Sequence, residues 1–127
     1  MHKLVFLSAA VLVGCAGGPV TVSQAMANCA RGASGVEVVA SGTVSKMLGS
    51  YRSRSGTHEG FVLNSSGFAL HVEDNTTITG PIPLKIGEPV SLQGQYECND
   101  GVIHWTHHDP RMRHIGGFIT AGGKTYR

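Results

Sequence analysis

Residues 90–101 constrain the fold more tightly than any other stretch. Val90, Leu92, Gly94, Tyr96 and Cys98 alternate with Ser91, Gln93, Gln95 and Glu97. A period of two sends the first set to one face of a strand and the second set to the other, as in a sheet with one dry and one wet side. Asn99-Asp100-Gly101 follows at once, and such a pair supplies the left-handed dihedrals of a tight hairpin. The chain therefore turns back into a further strand, predicted over Val102 to His107.

The same signals recur upstream. Val36, Val38, Ala40 and Val44 occupy alternate positions. Tyr51 to Thr57 is rich in Ser, Arg and Gly and reads as a loop. His58 to Leu63 is a second strand, Asn64-Ser65-Ser66-Gly67 a turn, and Phe68, Leu70 and Val72 alternate with Ala69, His71 and Glu73 in a third. Asp74 to Leu84 carries two prolines and reads as a connection. Phe118-Ile119-Thr120, Gly122-Gly123 and Lys124-Thr125-Tyr126 form a closing hairpin. No stretch sustains a period of 3.6. Eighteen glycines and many short strands predict a small barrel.

The order of elements, with Gly87, Val90 and Gly94 in a Gly-x-x-Val-x-x-x-Gly run entering the fourth strand, resembles an OB-fold. The expected fold is all-β: a small five-stranded OB-fold-like barrel with a C-terminal hairpin, over residues 35–127. A fold of this kind hosts many functions and names none.

The N-terminus has a different character. Met1-His2-Lys3 is a short basic start, and Leu4 to Val13 is an apolar run interrupted by Ser8. That run is too short for a spanning helix, which needs about twenty residues, and reads as a secretory signal over residues 1–14. Leu12-Val13-Gly14-Cys15 resembles a lipobox, which predicts lipidation at Cys15, a tether over residues 15–34 and a place in the cell envelope, on the periplasmic or outer face. Several acyl chains on one cysteine suffice for stable anchoring. The alternative is an ordinary signal cut near Ala25-Met26-Ala27. The tether is small and polar, with room for one helical turn around Ser23 to Cys29.

Loss of Lys3 with the signal leaves nine basic residues against eight acidic ones. That balance argues against nucleic acid as a partner, because non-specific binding depends on a basic face. Cys29 and Cys98 form an even pair, read as a disulfide in an oxidising envelope. Closing so long a loop disfavours the unfolded chain by about 4 kcal/mol in the entropy account. Two buried or metal-binding thiols are the alternative.

Candidate chemistry is concentrated in one run. Four of the seven histidines, the single Trp and an Asp lie between His104 and His114. On a regular strand, residues two apart share a face at about 7 Å and residues four apart at about 13 Å. His104 and His108 are then too distant for one metal, whereas His107 and Asp109 are close enough, and His114 can return across Arg111-Met112-Arg113. A set of His107, His108, Asp109 and His114 would suit zinc or another borderline divalent ion. His58, His104, Trp105 and Arg111 complete the candidates for a small polar ligand. Arg52, Arg54, Arg111 and Arg113 could clamp an anion. The competing reading is structural, with Trp105 as the main core aromatic, the imidazoles bonded to main-chain carbonyls and Asp109 capping a turn before Pro110. An enzyme is the other alternative: a metal-dependent hydrolase whose ion activates water. A ββα nuclease fits poorly, since Pro110 and Gly116-Gly117 oppose the helix it needs.

Gly94-Gln95-Tyr96-Glu97, the run Gly101 to Pro110 with its H-W-T-H-H-D-P core, Arg113-His114 and Gly116 to Ile119 resemble a family of small exported bacterial proteins of unknown function. His58 to Phe61 and Pro83 to Gly87 share the likeness, which extends over residues 36–127. The resemblance implies a compact β domain outside the cytoplasm and carries no activity.

Overall fold

A computed structural model describes residues 18–33 and 35–127. The proposed signal, Cys15 and the first residues of the proposed tether lie outside the described residues.

The elements, in order, are β1 (Val20–Thr21), α1 (Val22–Ala30), β2 (Val36–Ser53), β3 (Gly56–Ser65), β4 (Phe68–Asn75), α2 (Thr76–Thr79), β5 (Pro89–Glu97), β6 (Val102–His104), β7 (Phe118–Ala121) and β8 (Lys124–Tyr126). The eight strands make one mixed sheet in the order β1-β2-β3-β4-β6-β5-β7-β8, and β2 also pairs with β5. That extra pairing joins β2, β3, β4, β6 and β5 into a closed ring. Only β1–β2 and β4–β6 run parallel.

The ring closes because β2 changes partner midway. Val36 to Thr43 pairs with β5, and Thr43 to Ser53 pairs with β3. Gly42 sits at the changeover, where a Cβ would lie 2.0 Å from the Asn64 carbonyl oxygen. No residue but glycine permits that approach. Two register shifts further along β2, between Val44 and Lys46 and between Met47 and Gly49, bend the strand as bulges do.

Alternation decides what each strand contributes. Val90, Leu92, Gly94 and Tyr96 of β5 point inward, as do Leu70, Val72 and Asp74 of β4. They meet Val38, Val44, Phe61, Leu63, Ile103 and Ile119 in one core. By the same parity His71 and Glu73 of β4 face outward, and this alignment supplies part of the site.

Three local readings are corrected. Tyr51 to Thr57 is not a loop: β2 runs to Ser53 and β3 begins at Gly56, leaving only Arg54-Ser55 as the turn. Its polar composition reflects a hairpin standing in solvent, with Tyr51 opposite His58 and Arg52 opposite Thr57. The fifth strand ends at His104 rather than His107, because Trp105 takes a positive φ of 51° that breaks the ladder.

The third correction concerns the tether. Residues 22–30 form a nine-residue helix, longer than the single turn expected. A capping box starts it, with the Gln24 amide donating to Thr21 Oγ1 at 3.2 Å and the Thr21 amide donating to Gln24 Oε1 at 3.0 Å. Val22 and Ala25 are buried in the core and Cys29 packs against it. Cys29 is disulfide-bonded to Cys98 at the end of β5, so the helix is held to the sheet by covalent and apolar contacts. Asp74 to Leu84 likewise contains one helical turn, α2, capped by Asn75 Oδ1 accepting from the Thr77 amide at 3.1 Å.

Candidate functional site

The outward face of β4 forms the floor of an open cleft of about 1040 Å³. His71, Glu73 and Asn75 come from β4, His104 from β6 and Glu97 from β5. One wall is the tip of the β2–β3 hairpin, with Tyr51, Arg54, Ser55 and His58. The other is the segment after β6, from which Trp105, His107, Asp109, Arg111, Arg113 and His114 line the space.

The floor is held by two imidazole–carboxylate pairs. His71 Nε2 lies 2.6 Å from Glu73 Oε1, and His104 Nε2 lies 2.7 Å from Glu97 Oε1. Desolvation pushes the Glu97 carboxyl up, but the bonds from His104 and Gln95 outweigh it and leave the group below the ordinary glutamate range. On the hairpin wall, His58 Nε2 bonds to the Ser53 and Ser55 hydroxyls at 2.9 and 2.8 Å, while its ring stacks on Tyr51 at 5.1 Å.

The 105–114 segment has no strand ladder and is braced by side chains. Thr106, fully buried, donates to Asp74 Oδ1 at 2.9 Å. Asp74 is itself only 2 % exposed, and burial pushes its carboxyl above the ordinary value despite bonds from Thr79 and Thr106. His107 Nδ1–H donates to the His108 carbonyl at 2.7 Å. Desolvation, together with the nearby His114, lowers the His107 pKa against the upward pull of that bond, which favours the neutral ring, with Nδ1 as its donor.

Asp109 organises the turn. Its carboxylate accepts from the backbone amides of Arg111 at 2.9 Å, His114 at 2.8 Å and Arg113. Desolvation opposes ionisation, but the three amides outweigh it and hold the carboxyl below the usual aspartate value. The turn brings His114 back over Trp105. The indole then stacks with two imidazoles, His104 at 4.6 Å and His114 at 4.6 Å, with interplanar angles of 16° and 10°. His114 also meets the edge of His107 at 5.2 Å and donates from Nδ1 to the Ile115 carbonyl at 2.8 Å.

The cleft thus gathers His58, His104, Trp105, His107, Asp109, Arg111 and His114 from the candidate set. His108 is exposed and does not line it; its carbonyl is occupied by His107. Trp105 is 37 % exposed, so it is not the core aromatic. Phe61, fully inside the ring, fills that place. The quartet of His107, His108, Asp109 and His114 is not assembled as metal ligands. Among the described residues no three His, Cys, Asp or Glu side chains gather around a common point suited to an ion. Asp109 already accepts from three amides, and His108 does not line the cleft.

Sequence reasoning passed over Tyr51, His71, Glu73, Asn75 and Glu97. The signal for two of them was present: the alternation that sends Leu70 and Val72 inward sends His71 and Glu73 outward.

No curated protein and no solved structure matches the chain. One family model does, over residues 10–127, described as a protein of unknown function. With a match of that extent, the chain belongs to the DUF3465 family.

Proposed function

We propose that this protein binds a small polar ligand in the histidine-lined cleft of an OB-type barrel. The order β2-β3-β4-β6-β5, closed by β2–β5, with a parallel β4–β6 contact and a helical turn between β4 and β5, supports the barrel assignment. OB-folds bind ligands on the face of their second and third strands, between the first hairpin loop and the loop joining strands four and five. The cleft occupies the corresponding face and reaches both that hairpin and the β5–β6 turn. The likeness is one of fold, and the functional argument rests on the site.

One observation carries it. Five of the seven histidines, from a hairpin, a sheet face and an irregular segment, line a single cleft. Imidazoles serving only as packing have no reason to converge from segments so far apart in sequence. A concave site lined by a few convergent polar groups and rings is the usual form of a small-molecule site. Phosphate-backbone binding is disfavoured by the near balance of charge.

A second reading is a divalent ion such as zinc at His107 and His114, with hydrolysis as the derived activity. One observation favours it: each ring gives its Nδ1–H to a carbonyl, as metal-binding histidines do, leaving Nε2 without a hydrogen bond, that of His114 lying 3.8 Å from Asp109 Oδ2. A further ligand atom would have to come from the bound molecule. The envelope placement and the anchor at Cys15 rest on the apolar run before that cysteine, and the Cys29–Cys98 disulfide suits an oxidising compartment. Cys15→Ser should move the protein to the soluble fraction.

Trp105 is the single tryptophan and lies in the cleft, so its fluorescence reports occupancy directly. Screening the mature protein against sugars, amino acids, nucleotides and divalent ions should yield one class that changes the emission saturably. His104→Ala should abolish the response. If no class perturbs the indole or raises the melting temperature, the cleft is not a binding site, and a structural role in the envelope takes its place.

A further inference from the structure

We propose that the surface around the start of α1 rests on the bilayer that holds the Cys15 anchor, with the histidine-lined cleft pointing away from it into water; this rests on the anchor reading above. The length of chain between anchor and barrel carries the argument. Gly18 is three positions after Cys15. An extended chain spans at most about 3.6 Å per residue, so the lipid-bearing Cα lies within about 11 Å of Gly18. β1 then fixes the chain to the barrel at once, with Val20 beside Val38 and Thr21 beside Val39. A domain on so short a lead cannot roll over, and the surface next to Gly18 is the one that meets lipid.

That surface has the composition a bilayer requires. A groove of about 580 Å³ opens beside Thr21 and Ser23, against β2, the β3–β4 turn and β7. Among the described residues, only Ser and Thr hydroxyls and apolar side chains line it, including Val39, Phe68 and Phe118. From Ala16 to Ala30 the sequence contains no charged residue. The exposed side of α1 therefore presents Ser23, Gln24, Met26 and Ala27, where a helix facing water ordinarily carries charges. Polar groups at the rim are already paired within the protein. Ser65 donates to the Ser41 carbonyl at 2.6 Å, and Thr21 and Gln24 satisfy each other in the capping box. Paired groups lose little on leaving water, whereas charges at a lipid face are costly.

The cleft lies at the other end of the barrel. β3 runs about 30 Å from Gly56, next to the cleft residue Ser55, to Ser65, which lines the groove. Arg54, Arg111, Arg113, Glu73 and Glu97 all belong to the cleft, so the charged end and the uncharged end are separated along this strand. The anchor thereby orients the site, and a ligand reaches the cleft from water without crossing the lipid surface.

The test compares the full-length lipidated protein in phosphatidylcholine vesicles with the full-length Cys15→Ser protein in solution, by hydrogen exchange. The mass of the purified chain first shows whether Cys15 carries lipid. On vesicles the amides of residues 21–24 and 66–68 should exchange severalfold more slowly, while those of residues 53–56 and 109–114 keep their rates. Replacing part of the phosphatidylcholine by phosphatidylglycerol should leave the pattern as it is, because no charged side chain among the described residues lines the groove. Brominated phosphatidylcholine, which quenches an indole that reaches the acyl chains, gives a second readout. Wild-type emission comes from Trp105 alone and should be untouched. The emission added by Val39→Trp, at a position 42 % exposed and so tolerant of a larger side chain, should fall. Equal exchange at residues 21–24 and 66–68 in the two states, slowed exchange at the cleft end, dependence on anionic lipid, or quenching of Trp105 overturns the orientation. If lipidated chains enter the membrane fraction with this surface unprotected, the orientation falls and the anchor stands; a chain without lipid removes both.

Discussion

The closed ring and the 105–114 segment are built on opposite plans. In the ring, backbone ladders position the chain and apolar side chains at every second residue fill the interior. In the segment, polar side chains bond back to main chain: Asp109 to three amides, His107 and His114 to neighbouring carbonyls, Thr106 to the Glu73 carbonyl. The contrast explains why the richest histidine run in the sequence does not bring three ligating side chains to one point. Several of its polar atoms are occupied by the local backbone, and the floor of the cleft comes from the ring through strand parity.

The difference can be broken from the ring side first. Phe61→Ala should lower stability by about 4 kcal/mol through the cavity it leaves, seen in urea denaturation as a loss of ring and segment together. Replacing Cys29 and Cys98 by serine should cost about 3 kcal/mol, since the loop they close is long and observed values fall below the ideal estimate. The edge of the cleft at Glu97 and Asp100 should loosen in that variant, because Cys98 lies between them. Retention of wild-type stability would mean that α1 docks by apolar contact alone.

From the segment side the effects are smaller and local. Asp109→Ala should leave the melting temperature close to wild type, while the amides of Arg111 and His114 exchange faster in hydrogen-exchange NMR. The carboxyl is held below its ordinary value, so the order it confers is complete above that value and is lost as pH falls through the depressed one. Asp74 titrates with the opposite sign. Burial raises it, so its ionised form opposes folding as pH rises through the folded-state value. Asp74→Asn should therefore stabilise the fold at neutral pH, with the gain shrinking to nothing on acidification below the ordinary aspartate range. A gain that persists in acid would show that the amide makes better bonds to Thr79 and Thr106, independently of charge.

Much of the ring was legible because its strands obey a period of two: Val90 to Tyr96, Phe68 to Val72 and the Asn99-Asp100-Gly101 turn sit where the sequence puts them. The far half of β2 was not, because Tyr51 to Ser53 stands in solvent and carries loop-like side chains whose pairing with β3 is decided by the hairpin. Only one turn of the α1 helix was legible, because Val22, Ala25 and Cys29 are too few to establish a 3.6-residue period over its nine residues. In the site, His58, His107 and His114 were legible as separate candidates, and all three line the cleft. The exclusion of His108 was not, since the strand ends at His104, where Trp105 takes a positive φ, and strand alternation no longer says which way a side chain beyond it points.

The most direct test of the central claim, that imidazoles from separate elements face one ligand, is NMR of the histidine Cε1–Hε1 signals during titration with the ligand found by the fluorescence screen. His58, His71, His104, His107 and His114 should shift together along one binding isotherm while His108 stays still. A titration in which His108 moves as much as the others, or in which the five cleft signals remain fixed while ligand binds, would contradict it.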